Sequence, residues 1–210
     1  MWRIRRYQPS DRPAVFQLCG DTAFFGDPIE GFFDARQLFL DTFATYYTDV
    51  MGDYLWVADD ERGDIVSYLM GCPDTAAHNR WFRQHARKMA RRFITLRYRG
   101  LTRKTLRFIW DYLHLRVPYL DLSDYPAHLH INTRADLRGN GVGTALMKTY
   151  LDQLRAENVC GVHLETSSAN SIAVPWYEKL GFQLLQRIST DLYKPSLGHS
   201  IDLLVYGLRL

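Results

Sequence analysis

RGNGVGTAL, Arg138 to Leu146, sets glycines at 139, 141 and 143 and then runs into a sequence with helical spacing of apolar groups. Glycine turns tightly and leaves backbone N–H groups uncovered, so such a loop entering a helix N-terminus suits an anion, phosphate above all. Spacing separates the phosphate loops. The dinucleotide pattern GxGxxG fails because Thr144 stands at its third glycine, and the GxxxxGK[ST] loop fails for want of its glycine and lysine. A plain glycine-rich link from strand to helix remains open on these residues alone, and the surrounding sequence decides.

Upstream of the loop, YPAHLHINT (125–133) reads as a strand. Downstream come a helix over Val142–Glu157, a strand over Gly161–Thr166, a helix over Asn170–Leu180, a strand from Phe182 and a closing strand in the last ten residues, IDLLVYGLRL. Towards the N-terminus, WRIRRYQ is a first strand, followed by a helix with Ser10 or Asp11 as its cap and Pro13 in its first turn. Residues 35–50 have helical spacing, and YLWVADD and DIVSYLMGC form a hairpin around ERGD. A helical insertion over about 74–120, interrupted near Gly100 and Pro118, then separates the third strand from the fourth.

The 210 residues suit a single domain, 1–210, with a full core; no repeat, low-complexity run or linker divides them. Composition is that of a soluble protein: mean hydropathy is −0.26, no apolar run approaches a membrane span, and MWRIRRYQPSDRP is charged where an export signal would be apolar. Three widely spaced cysteines form neither a disulfide framework nor a metal pair, so a reducing cytoplasm and no metal are expected. Net charge is +3 but uneven. His78–Arg116 holds twelve Lys/Arg against Asp111, which gives +11, while the other 14 basic and 22 acidic residues give −8. A nucleic-acid surface is one reading. The favoured one is a solvated helix face, because Trp81, Phe82, Ala86, Met89, Ala90, Phe93 and Ile94 recur at the spacing of a half-buried helix.

RGNGVG resembles the [Q/R]xxGx[G/A] signature of the GNAT superfamily of N-acetyltransferases, with Arg138, Gly141 and Gly143 on its fixed positions. About thirty residues on, NSIAVPWYEKLGF is similar to that family's second signature, NxxAxxxYxKxGF, through Asn170, Ala173, Tyr177, Lys179, Gly181 and Phe182. The helix LMKTYLDQLRAENV and strand GVHLETSS fit the family's connection between the two. GCPDT, the insertion and PYLDLSDYPAHLHI resemble a bacterial group related to the acetyltransferase-like domain of O-GlcNAcase. The resemblance implies an α/β (α+β) GNAT fold: a mixed, mostly antiparallel central sheet of about seven strands flanked by helices, with the insertion between strands 3 and 4.

It also implies acetyl-CoA as co-substrate and transfer to a primary amine of a small molecule or peptide by direct attack. Backbone N–H groups of Arg138, Gly139, Asn140, Gly141, Val142, Gly143 and Thr144 would hold the pyrophosphate, the strand Ile131, Asn132 and Thr133 would pair with the pantetheine arm, and Asn170 would cap its helix and touch CoA. Tyr177 falls on the general-acid position, where a phenol can protonate the departing thiolate; packing between helix and sheet is the plainer role for it. The base stays open among Glu165, His163, His128 and His130, with Glu165 the first choice, and the two pairs are expected on different strand faces. Pro175, two residues before Tyr177, threatens a kink. The acceptor would enter a cleft walled by the insertion and by Phe32, Phe33, Tyr46 and Tyr47, and a basic wall would favour acceptors bearing carboxylate or phosphate. The alternative is a catalytically inactive acetyl-CoA-binding module. A homodimer is plausible by resemblance, membrane is not expected as a partner, and nucleic acid ranks last.

Overall fold

The computed structural model describes residues 1–210. In chain order the elements are β1 (Trp2–Arg6), α1 (Arg12–Thr22), α2 (Arg36–Phe43), α3 (Thr45–Asp49), β2 (Leu55–Asp60), β3 (Ile65–Cys72), α4 (Thr75–Ile94), α5 (Arg103–Leu113), β4 (Ala127–Thr133), α6 (Val142–Ala156), β5 (Gly161–Ser167), α7 (Ala173–Lys179), β6 (Gln183–Thr190), α8 (Lys194–Leu197) and β7 (Ile201–Arg209). All seven strands join one sheet in the order β1-β2-β3-β4-β5-β7-β6. Every neighbouring pair is antiparallel except β4 and β5. That is the mixed sheet expected, with the insertion, α4 and α5, between the third and fourth strands.

The parallel pair is short. β4 and β5 align only through Ala127 with Val162 and His128 with His163, and beyond those residues they separate. β4 stays paired on its other side with β3, from His128 opposite Cys72 to Thr133 opposite Ser67. Arg134 N–H bonds the Val66 carbonyl, and in an antiparallel ladder alternate residues repeat that direction, so Ile131 and Thr133 aim their backbone polar groups at the gap beside β5.

Helices cover both faces. α6 buries Val142, Leu146, Met147, Tyr150, Leu151 and Leu154, the three-and-four spacing of one apolar stripe, against the sheet. Each such side chain contributes about 2 kcal/mol. Tyr150 donates its hydroxyl to the carbonyls of Cys72 and His128, at 3.2 and 3.0 Å, which ties β3 to β4; its ring lies where a Cβ on Gly71 would stand at 2.2 Å, so only glycine fits there. On the opposite face, α1, α2 and α3 pack Val15, Phe16, Leu18, Leu40, Tyr46 and Tyr47 onto Leu55, Val57, Tyr68 and Met70.

The expected helix over 35–50 is two helices that break at Ala44 (φ −111°). No proline or glycine stands there. Thr45 and Thr48 donate their hydroxyls to the Leu40 and Ala44 carbonyls and so compete with continued helix. Neither Ser10 nor Asp11 caps α1 with its side chain; Asp11 instead accepts the Gln8 N–H and pairs with Arg5. α4 begins where Asp74 accepts the N–H groups of Ala76 and Ala77, and α5 where Thr102 accepts that of Thr105. α4 is half-buried through Trp81, Phe82, Met89 and Phe93, but Ala90 and Ile94, expected on that stripe, face outward, Ile94 at 78% exposure. Arg92, part of the basic block, is committed to buried Asp41, which also accepts from Tyr98 and Gln37.

Candidate active site

The turn after β4 brings the glycines to the start of α6. Gly139 and Gly141 adopt φ of 79° and 80°, a left-handed conformation that costs other residues about 1 to 2 kcal/mol, and nothing lies within 4 Å of where their Cβ atoms would be. The demand there is conformational. Gly143 is helical, and a Cβ on it would meet the Trp176 ring at 3.6 Å. Gly141 is the N-cap of α6 and supplies no side chain to its first turn, so the N–H groups of Val142, Gly143 and Thr144 have no intrahelical partner. Those of Gly139 and Gly141 bond no carbonyl either. Five amides and the positive end of a fifteen-residue helix thus converge on one exposed loop, donors and charge suited to a pyrophosphate.

Other residues of the loop and strand are occupied. Arg138 directs its guanidinium away from the amides, donating to the Thr133 carbonyl at 3.2 Å and the Gly26 carbonyl at 2.6 Å. Asn140 is exposed, its N–H on the Leu137 carbonyl. Asn132 points to α1 and donates to the Thr22 hydroxyl and carbonyl, while Thr133 shares its hydroxyl with Ser67 at 2.7 Å. Ile131 packs on the α6 side of the sheet.

Helix α7 joins the second signature to the first. Asn170 accepts the Ala173 N–H through its side chain, the expected cap, although α7 is shorter than the span 170–180. Pro175 is the third residue of α7, within its first turn, where proline is tolerated, and α7 runs on through it to Lys179. Trp176, which neither signature marks, donates its indole N–H to the Thr144 hydroxyl at 3.1 Å and lies over Gly143. Its signal was a large aromatic residue beside the signature tyrosine. Tyr177 is 7% exposed and packs against Phe182, Trp176 and Tyr206, with no hydrogen bond to its hydroxyl. Burial raises its pKa well above the usual phenol value, so at neutral pH it holds its proton.

Across the sheet from α6, His128, His130, His163 and Glu165 gather on one side, not on two faces as expected: the His128 ring is 5.7 Å from His163 and 6.1 Å from His130. β4 and β5 run parallel in register at His128 and His163, and this places the alternating side chains together. His78 of α4 and Tyr47 of α3 complete the cluster. Thr75 donates to the Pro126 carbonyl, which leaves its oxygen to accept from His128 Nδ1; His128 Nε2 then accepts from Tyr47, each at 2.7 Å. That closed chain makes His128 a structural residue. His163 Nδ1 lies 2.7 Å from the Tyr125 carbonyl, an acceptor only, so it carries the proton and Nε2 keeps a free lone pair. Burial and neighbouring imidazoles push His130 down to about 4 and hold His128 well below its usual range; burial likewise lowers His163. All three are neutral at pH 7. Glu165 is exposed and has no hydrogen-bond or ion-pair partner.

The expected wall of the acceptor cleft needs correction. Tyr46 and Tyr47 are each 1% exposed and belong to the core. Phe32 and Phe33 are also largely buried, but Phe32 enters an aromatic cluster with Phe24, Phe108 and Tyr193, at 5.2, 4.8 and 5.1 Å between rings, to which Phe25 adds from the loop after α1.

Residues 105–182 match the sequence model of the Acetyltransferase (GNAT) family. The structure resembles the crystal structure of SsHAT with a TM-score of 0.68 and 26% identity, over 99% of this chain and 98% of that one. It is also similar in fold to yncA of Salmonella typhimurium, solved with its cofactor acetyl-CoA (TM-score 0.61, 14% identity, 100% and 94% covered), and to the ribosomal-protein-S18-alanine N-acetyltransferase of Escherichia coli (0.58, 17%, 100% and 94%).

Proposed function

We propose that the chain is a GNAT-family protein that acetylates a primary amine with acetyl-CoA, a reading supported by sequence over residues 105–182 and by fold along its length. The observation that carries the reading is the convergence, at one end of the β4–β5 gap, of five unpartnered amides at the N-terminus of α6. Acetyl-CoA supplies an acetyl group activated as a thioester. The amides of Gly139, Gly141, Val142, Gly143 and Thr144 hold its pyrophosphate, and the Ile131 backbone groups and the Thr133 N–H facing the gap hold its pantetheine arm and orient the acetyl carbonyl. Arg138 contributes through its position in the turn, since its side chain serves the Gly26 loop.

The amine nitrogen attacks the acetyl carbonyl carbon, the carbon–sulfur bond breaks, and Tyr177, held protonated by its burial, gives its proton to the departing thiolate. The attacking amine loses a proton to Glu165, directly or through water, with the free Nε2 of His163 on the same strand face as a second acceptor. His128, committed on both nitrogens, leaves the set of candidate bases. No helix is long and apolar enough to cross a membrane, and a cytoplasmic location fits the chemistry and the three free cysteines.

The test is calorimetric titration with acetyl-CoA, followed by thiol release with an amine panel. Saturable binding, lost in a Gly141→Asp/Gly143→Asp variant, together with amine-dependent release is the expected result. No binding at millimolar acetyl-CoA would overturn the reading, and binding without turnover on any amine would leave a CoA-binding module.

A further inference from the structure

A groove of about 290 Å³ lies between α5 and α8, lined by Phe32, Arg103, Arg107, Phe108, Leu192 and Pro195 among others. It continues into a larger hollow of about 580 Å³ that shares Arg107 and Asp111 and reaches Lys194, which pairs with Asp191 at 3.4 Å. The floor of the groove is the aromatic cluster: Phe108 stands 4.8 Å from Phe32, 5.5 Å from Tyr193 and 6.4 Å from Tyr112 between ring centroids. Tyr193 also meets Phe25 edge-on at 5.1 Å, and Gly26, the next residue, accepts from Arg138 of the glycine loop at 2.6 Å. The groove is therefore joined to the glycine loop through Tyr193, the Phe25–Gly26 segment and Arg138.

Its charge is the second observation. The ionisable lining is Arg103, Lys104, Arg107 and Asp111, a net of +2. Lys104 is satisfied, by Asp34 at 2.5 Å and the Glu30 carbonyl at 2.6 Å. Arg107 has only a loose ion pair with Asp111 at 3.6 Å, and Arg103 has no partner. Arg103 and Arg107 are one turn apart on α5, about 6 Å on one helix face, so two planar forks look into one hollow. Elsewhere in the basic block, Arg92 binds Asp41 and Arg80 pairs with Asp74.

We infer that the acceptor carries, remote from its amine, an anionic group, carboxylate or phosphate, which Arg103 and Arg107 receive in the groove between α5 and α8. This rests on the acetyltransferase reading. The amine end reaches the gap between β4 and β5, the chain of the acceptor lies over Phe108 and Tyr193, and the anion stops at the arginines. An acid-bearing small molecule and an acidic segment of a peptide share this chemistry.

The test measures kcat/KM with saturating acetyl-CoA for matched acceptors: 5-aminopentanoate against pentylamine, phosphoethanolamine against ethanolamine, and a lysine peptide flanked by glutamates against one flanked by serines. A preference of tenfold or more for the anionic member of any pair, abolished in Arg103→Ala/Arg107→Ala through KM while acetyl-CoA affinity stays within threefold, is the expected result. The first two pairs report a small-molecule acceptor and the third a peptide. Equal kcat/KM within every pair, or a preference that survives the double substitution, overturns the inference while leaving acetyl transfer standing. If no amine turns over, calorimetry of 5-aminopentanoate and the glutamate peptide against the same two proteins decides: binding lost in the variant supports the groove, and binding that is absent or unchanged overturns it. Arg103→Lys/Arg107→Lys, which keeps the charge and removes the forks, retains part of the preference if charge is what is read.

Discussion

The Arg138 guanidinium donates to the Gly26 carbonyl at 2.6 Å, across 112 positions of sequence, and so couples the glycine loop to the segment that carries Phe24 and Phe25. Glycine loop and aromatic cluster are thus joined by one side chain. Arg138→Ala frees the Gly26 segment and leaves the loop amides in place. The acceptor KM should rise about tenfold, roughly the 1.4 kcal/mol of one good charge-assisted hydrogen bond, while acetyl-CoA affinity changes less than threefold. Steady-state kinetics with both substrates varied checks it, and an unchanged acceptor KM would remove the coupling.

Tyr177 makes no hydrogen bond, so Tyr177→Phe should leave the urea midpoint unshifted. If the phenol protonates the leaving thiolate, kcat falls by about a hundredfold or more with the acetyl-CoA dissociation constant unchanged. If the ring only packs, kcat stays as it was.

Trp176→Phe removes the hydrogen bond to Thr144 but keeps a ring over Gly143. The first turn of α6 loses its tether, and acetyl-CoA should bind about five- to tenfold more weakly, with a stability loss of about 1 kcal/mol. Thr144→Val should weaken binding similarly, and the two substitutions together should cost no more than either alone. A fully additive pair would show that the two side chains act separately.

His128, His130 and His163 all have folded pKa values below the unfolded value near 6.5, so the native state binds fewer protons than the unfolded chain. Stability is then fully present above pH 6.5 and is lost as pH falls towards 4, the value of His130, by on the order of 1 to 3 kcal/mol from that residue. Lowered carboxylates such as Asp11 and Asp59 add their own loss only below the usual carboxylate range. Urea titrations at pH 7.5, 6 and 5 measure the slope, and His130→Phe should flatten it. A slope identical to wild type would place the acid sensitivity elsewhere.

The glycine turn and the helices around the candidate site are readable from sequence because they depend on local chemistry. A positive φ at Gly139 and Gly141, a cap at Asn170 and a stripe over Val142–Leu154 each declare themselves within one turn of chain. What depends on distant segments is not readable. Nothing in the alternation of 201–210 says that β7 inserts between β5 and β6, and nothing in His128 or His163 says that parallel register brings them to one side. Tyr46 and Tyr47 have the size and polarity of a binding wall, and only the packing of α3 against the sheet buries them. Arg138 shows the limit within a motif: its place in the turn was legible, its bond to Gly26 was not.

The separation of segments bears on how such a protein changes over time. The strands, loop and helices that would handle the acetyl donor occupy a continuous stretch from Ala127 to Phe182, whereas the hollow beside Phe108 is assembled from three remote pieces: the segment after α1, the insertion α4–α5 and the residues around α8. Of α5, only Thr105 is fully buried. A change confined to α5 would therefore reshape this hollow while leaving the stretch from Ala127 to Phe182 as it stands.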